Sequence, residues 1–222
     1  MTINSEHYIA IAELFEYPGN DFSKNVNTVQ ALLDSKYPEA AAELKPFTDF
    51  TANSISDEQQ EIYTRTFDVQ AITTLDLGYV IFGDDYKRGE LLSNLNREHS
   101  AAGNELNNQL ADHLPNLLRL LPKLKDGELI EELVSQIISP AMKKILSEFD
   151  PERIKSKNEL YKKHHNTLIE TSDKYAACYK HALKSFYLVL KTEFNIDNIS
   201  MPEQTSDFLS SIQNEIEIEH SK

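Results

Sequence analysis

The sequence predicts an all-α protein, a single compact multi-helix domain, on three observations. Apolar residues recur at spacings of three and four along most of the chain, the period of a helix that buries one face. Strand-like alternation is almost absent, and only 6 of the 222 residues are glycine. A hydrophobic fraction of 40% is enough to bury a real core at this length.

The elements follow in order. Tyr8, Ile11, Ala12 and Phe15 share one face of a first helix, from about Ser5 to Glu16, which Pro18-Gly19 stops. A second helix covers roughly Phe22 to Ser35 and a third Pro38 to Thr51. Ser56 with Gln59 reads as a capping box for a helix to about Phe67. Asp68 to Thr74 is a break, after which Thr73 or Thr74 caps a short helix to Phe82, ended by Gly83 in a left-handed conformation. From Asp84 or Asp85 a helix should reach Ala102, closed by Gly103.

Asn104 to Ala111 reads as a loop. Asp112 stands where an N-cap belongs, and Pro115 falls in the first turn of a helix to Leu121, where a missing N–H costs nothing. A further helix starts near Asp126 and runs to Ile138. Ser139-Pro140 and Asp150-Pro151 each look like a cap and a first-turn proline that restart a helix. Lys155 to Ile169, rich in lysine and histidine and thin in apolar residues, reads as an exposed helix or an ordered excursion. Tyr175, Cys178, Tyr179, Ala182, Phe186, Leu190 and Phe194 then predict a long buried helix from about Asp173. Residues 1–195 form the helical domain, and 196–222 an acidic, loosely held tail.

The net charge of −14 argues against a nucleic-acid partner and against an anionic membrane surface, and favours a basic one. The excess is uneven: residues 1–70 carry 12 acidic against 4 basic side chains, and residues 122–200 carry 12 against 13. A lone cysteine, Cys178, forms no intramolecular disulfide and reads as a small buried apolar residue. No apolar run is long enough to span a bilayer, and the opening residues lack the basic and apolar regions of a secretory signal, so a cytoplasmic protein is expected.

Chemical signatures are few. A phosphate-cradling glycine loop, a nucleophile elbow, HExxH and CxxC are all missing. His164 and His165 are adjacent and point about 100° apart on a helix, which suits no shared metal. A meeting of His99, His181 and Asp173 is the remaining metal reading, and no metal site is assigned. No catalytic residue is assigned either.

The densest mixture of apolar and small polar residues is Tyr63 to Arg88, YTRTFDVQAITTLDLGYVIFGDDYKR. Its polar members need hydrogen-bond partners if packed inside, so the stretch is either a polar-laced core or the floor of a groove. A second constellation, Asp112-His113 in QLADHLPNLLRLL, reads in two ways. Asp112 is a helix cap with His113 beside it, or the pair contacts a ligand. A histidine in a first helical turn is a poor match for the helix dipole, which disfavours its charged form unless a carboxylate stands close.

LFEYPG at 14–19, the stretch 63–88 with FD at 67–68, TTL at 73–75 and FGDDYKRG at 82–89, and LADHLPNLL at 110–118 together resemble the NarJ-type chaperones. These are the nitrate reductase delta-subunit group of the TorD-like family of molybdoenzyme maturation proteins. The resemblance covers about residues 5–125 and extends more vaguely through 175–190. Ala111 stands where the family often has proline, and the carboxy-terminal third matches poorly.

The resemblance implies the TorD/NarJ-like helical fold and a cytoplasmic chaperone that is not an enzyme. Such a chaperone binds the amino-terminal leader-like peptide of the catalytic alpha subunit of a nitrate reductase-like molybdoenzyme. It assists insertion of molybdenum bis(pyranopterin guanine dinucleotide) into that partner and holds no cofactor stably itself. Carried over, it assigns peptide binding to Asp112, His113 and Pro115, with Tyr79, Phe82, Lys87 and Arg88 beside them. The physical reading adds a groove of Tyr63, Phe67, Asp68 and Leu75 with Tyr79 and Phe82, into which a basic amphipathic peptide lays its apolar face. Tyr63, Phe67 and Leu75 fall to the core side, and Tyr79, Phe82 and Arg88 to the ligand side. Competing readings are a helical adaptor for another basic partner, a guanine-nucleotide-linked maturation factor, and a metal hydrolase built on Asp112 and His113.

Overall fold

The computed structural model describes residues 5–165 and 177–196. Its helices are α1 (Ser5–Ala12), α2 (Phe22–Lys36), α3 (Pro38–Asn53), α4 (Ser56–Phe67), α5 (Leu77–Phe82) and α6 (Tyr86–Ala101). They continue with α7 (Leu114–Leu120), α8 (Gly127–Glu132), α9 (Ser139–Glu148), α10 (Pro151–His165) and α11 (Cys178–Phe194). The described residues form an all-α domain whose one extended pairing is an isolated antiparallel bridge between Asp76 and His113. No described helix is long and apolar enough to cross a membrane.

α11 packs on α3, which also packs on α2, while α1 lies along α7 and α5 leans on α9. The predicted face of the first helix, Tyr8, Ile11 and Ala12 on α1 and Phe15 in the tighter 3-10 turn Glu13–Phe15 that follows it, is fully buried. α7 is buried almost all round, with Leu114, Leu117, Leu118 and Leu120 at 0% exposure, as befits a helix enclosed by neighbours. A chain of rings runs through the centre: Phe47 and Tyr179 lie 4.9 Å apart, Tyr179 and Phe67 4.9 Å, and Phe67 and Tyr63 5.1 Å. Tyr63, Phe67 and Leu75 are therefore core residues, as their pattern predicts.

Several boundaries differ from expectation for local reasons. Ile55, not Ser56, is the N-cap of α4; Glu58 reaches back to the Ile55 amide at 3.0 Å, and Gln59 turns instead to the Thr51 carbonyl at 2.9 Å. The break after Phe67 extends through Asp76, which takes the cap position of α5 in place of Thr73 or Thr74. Thr74 Oγ1 is spent on the Asp76 amide, at 3.2 Å. Gly83 ends α5 with positive φ, but at φ 60° and ψ −139° it lies outside the left-handed helical region.

Pro140 does fall in the first turn of α9, but Ser139 does not cap it and the helix is not interrupted there. α8 runs into α9 through a π-turn, Leu133–Ile138, in which the Ser139 amide donates to the carbonyl of Val134, five residues back. The wider turn admits Pro140, whose ring would clash with a carbonyl in α-helical register. Asp150-Pro151 does start α10, with Asp150 capping the Glu152 amide at 3.0 Å.

The expected exposed helix at 155–169 holds over most of its described part, which belongs to α10, and is corrected at Lys157. Lys157 is 2% exposed, its Nζ bonded to the carbonyl of Ile72 and 2.7 Å from Glu148 Oε2. Ile196, expected in the tail, is buried in the core after Asn195 closes α11 in a left-handed conformation. Asp173, Tyr175 and the tail from 197 lie outside the described residues, as do the side chains of His164 and His165.

Candidate functional site

The bridge between the two chain segments builds the site. The Leu77 amide donates to the Asp112 carbonyl at 3.0 Å, and the Leu114 amide to the Leu75 carbonyl at 2.9 Å. This pairing fixes Asp76 and His113 opposite each other at the starts of α5 and α7. His113, with extended backbone (φ −66°, ψ 131°), is the cap residue of α7, so the expected cap role of Asp112 is wrong by one position. The reason is long-range: the bridge places His113 at the start of α7, and the Asp112 side chain turns instead to Arg88 on α6.

Asp112 is fully buried, and its carboxylate receives Arg88 Nε at 3.0 Å and Nη2 at 3.5 Å. The same Nη2 donates to Asp76 Oδ2 at 3.1 Å, and Asp76 Oδ1 accepts from His113 Nδ1 at 2.9 Å. The sequence Asp112–Arg88–Asp76–His113 is thus one continuous network. The carboxylate acceptor places the ring hydrogen of His113 on Nδ1, and among the described residues Nε2 has no partner. Asp76 thus sets a carboxylate directly against the histidine at this helix start.

Burial alone would raise the Asp76 carboxyl, but the hydrogen bond and charge of His113, with Arg88, hold it below the usual carboxylate range. Burial likewise works against the charge on Arg88, and Asp112 and Asp76 outweigh it, so its affinity for the proton rises. Arg88 also lies over the ring of Tyr79, 5.2 Å from its centroid.

A supporting shell sets the loop that delivers Asp112. His99, 1% exposed, meets the Ala111 carbonyl through Nε2 at 3.0 Å and Asn104 Nδ2 through Nδ1 at 2.9 Å. Asn116 Nδ2 holds the carbonyls of Leu106 and Leu110, each at 3.0 Å. Buried loop carbonyls thereby find donors that no helix supplies. Asn107 and Asn108 take up positive φ in this loop, a conformation asparagine tolerates.

The predicted residues divide. The structure joins Asp112, His113, Arg88 and Tyr79 in one place. Pro115 is buried in the first turn of α7 and faces the core. Phe82 ends α5 half-buried and Lys87 is exposed on α6, and neither side chain enters the network. Asp68 is exposed beside it, close enough for its carboxyl to feel His113 and Asp76, and partial burial pushes that carboxyl above its ordinary value.

Asp76 and Gly78 are the members not singled out. Their signal was present: an aspartate between two leucines, and a glycine opening the apolar run LGYVIF. Of the metal candidates, His99 is engaged as above and His181 pairs with Glu43 at 3.0 Å. Among the described residues no three His, Cys, Asp or Glu side chains group as metal ligands do.

A second arrangement ties the amino-terminal turn to α7. Arg119 pairs with Glu16 at 2.5 Å and Glu13 at 2.8 Å, and Tyr63 donates to the Phe15 carbonyl at 3.3 Å. No family model matches this chain, and no curated protein matches it.

Proposed function

We propose that this chain is a cytoplasmic chaperone for a molybdoenzyme, of the NarJ kind. It binds the amino-terminal peptide of a nitrate reductase-like catalytic subunit and holds that subunit while the molybdenum cofactor is inserted. One observation carries the reading. The three separate segments that resemble the family, 14–19, 63–88 and 110–118, are knitted to one another by Tyr63 with Phe15, Arg88 with Asp112, and Asp76 with His113. A motif set that converges in space is what a shared binding site requires, whereas scattered motifs would serve packing alone. The acidic amino-terminal half matches a basic peptide and speeds its encounter.

The test is co-purification of the catalytic subunit with the tagged chain from its own host, followed by titration with the subunit's amino-terminal peptide. The expected result is capture that disappears when those amino-terminal residues are deleted. Capture that survives the deletion, or no binding of the peptide, would remove the proposal.

A further inference from the structure

Resting on the peptide-chaperone reading, we infer that the receiving surface for the peptide is the patch around Tyr63, with Tyr17 against its ring on one side and the Asp68-Val69 turn, beside His113, on the other. There Asp68 accepts a cationic side chain, and Tyr17 and Val69 take an apolar one.

Charge accounting selects Asp68. Arg88 is committed to Asp112 and Asp76, and Arg119 to Glu13 and Glu16. Asp68 stands near Asp76 and His113, and among the described residues its carboxylate has no hydrogen-bond or ion-pair partner. Asp112, the acid that the family resemblance points to, is fully buried and already saturated by Arg88, so a peptide cation finds no free oxygen there. His113 adds an unused acceptor or donor: it is 8% exposed, held through Nδ1 by Asp76, with Nε2 open.

The apolar side of the patch is equally specific. Tyr17 is 53% exposed and Val69 46%, two of the few large apolar side chains left in water among the described residues. Tyr17 rests edge-on against Tyr63, ring centroids 5.4 Å apart, and Tyr63 is near enough to Asp68 and Glu16 for both charges to act on its hydroxyl. Aromatic surface anchored on a core ring, bordered by an unpaired carboxylate, fits a segment that is apolar on one side and basic on the other.

The experiment is fluorescence anisotropy of the full chain with a labelled synthetic copy of the catalytic subunit's amino-terminal peptide, and with a copy whose Lys and Arg are replaced by Gln. Asp68→Asn should weaken the native peptide about tenfold and leave the neutral peptide unchanged. Tyr17→Ser should weaken both copies, and Glu39→Gln on α3 neither. Both key positions are exposed, so the fold tolerates the changes. If wild type binds and Asp68→Asn binds the native peptide equally well, or weakens both peptides alike, the patch is wrong while the chaperone reading stands. If wild type binds neither peptide, both fall.

Discussion

A β-carbon on Gly78 would stand 2.6 Å from Oδ2 of Asp112 and 3.0 Å from Cδ2 of Leu91. The missing side chain is what lets the buried carboxylate lie against the first turn of α5 and still reach Arg88. Gly78 has no positive φ, so close approach and not backbone freedom requires glycine here.

Gly78→Ala is therefore expected to destabilise. The gain in helix propensity, about 1 kcal/mol, is smaller than the cost of moving a carboxylate pinned by Arg88 in a packed site. Urea unfolding should show a net loss of about 1–2 kcal/mol. A gain in stability would mean that Asp112 yields freely and the network is loose.

Asp112→Asn separates a cap from a charge partner. Asparagine caps a helix as well as aspartate, so a cap role predicts no change. The observed ion pair predicts a loss of about 2 kcal/mol, because Arg88 keeps Asp76 but loses its fully buried counter-charge. Arg88→Gln combined with Asp112→Asn should cost less than the sum of the two, as measured by a double-mutant cycle in denaturant.

The helical class, the buried faces and the core role of Tyr63 and Phe67 were legible because they depend on local periodicity, and that of Leu75, in the break before α5, because of its apolar side chain. The cap of α7 was not. Local chemistry favours Asp112 over His113 as the cap, and that preference is overridden by the bridge to Leu75 and Leu77, more than thirty residues earlier in the sequence. Lys157 was misread for the same reason. A lysine in a charged, weakly apolar helix belongs in water, unless a distant carbonyl such as that of Ile72 and a buried Glu148 stand ready to take it.

His99 predicts a pH dependence with a definite sign. Burial lowers its proton affinity below the ordinary 6.5, although the Ala111 carbonyl works the other way. Between the two values the unfolded chain binds more protons than the folded one, so stability is intact above 6.5 and falls as pH drops through that window. In His99→Gln, thermal melts from pH 8 down to about pH 5 should show a shallower decline than wild type. Parallel declines would show that His99 does not set the slope. Asp76, depressed below 3.8, acts in the same direction but only at lower pH.

Lys157 tests whether α10 governs the turn that carries Asp68. Its Nζ holds the Ile72 carbonyl and pairs with Glu148, which Arg153 also contacts at 2.7 Å. Burial lowers its proton affinity more than Glu148 restores it, so the buried charge is a cost at neutral pH that its partners only partly offset. Lys157→Met alone leaves Glu148 short of a counter-charge and frees the Ile72 carbonyl, for an expected loss of about 2 kcal/mol. Adding Glu148→Met should recover most of that stability, since an apolar pair of similar volume commonly replaces a buried ion pair without loss. The turn should not recover with it. Hydrogen exchange at Thr73, whose amide donates to the Thr66 carbonyl at 3.1 Å just beyond the Ile72 anchor, should stay faster than wild type in both variants. If exchange at Thr73 returns to normal in the double variant, the turn is held by packing and Lys157 is only half of an ion pair.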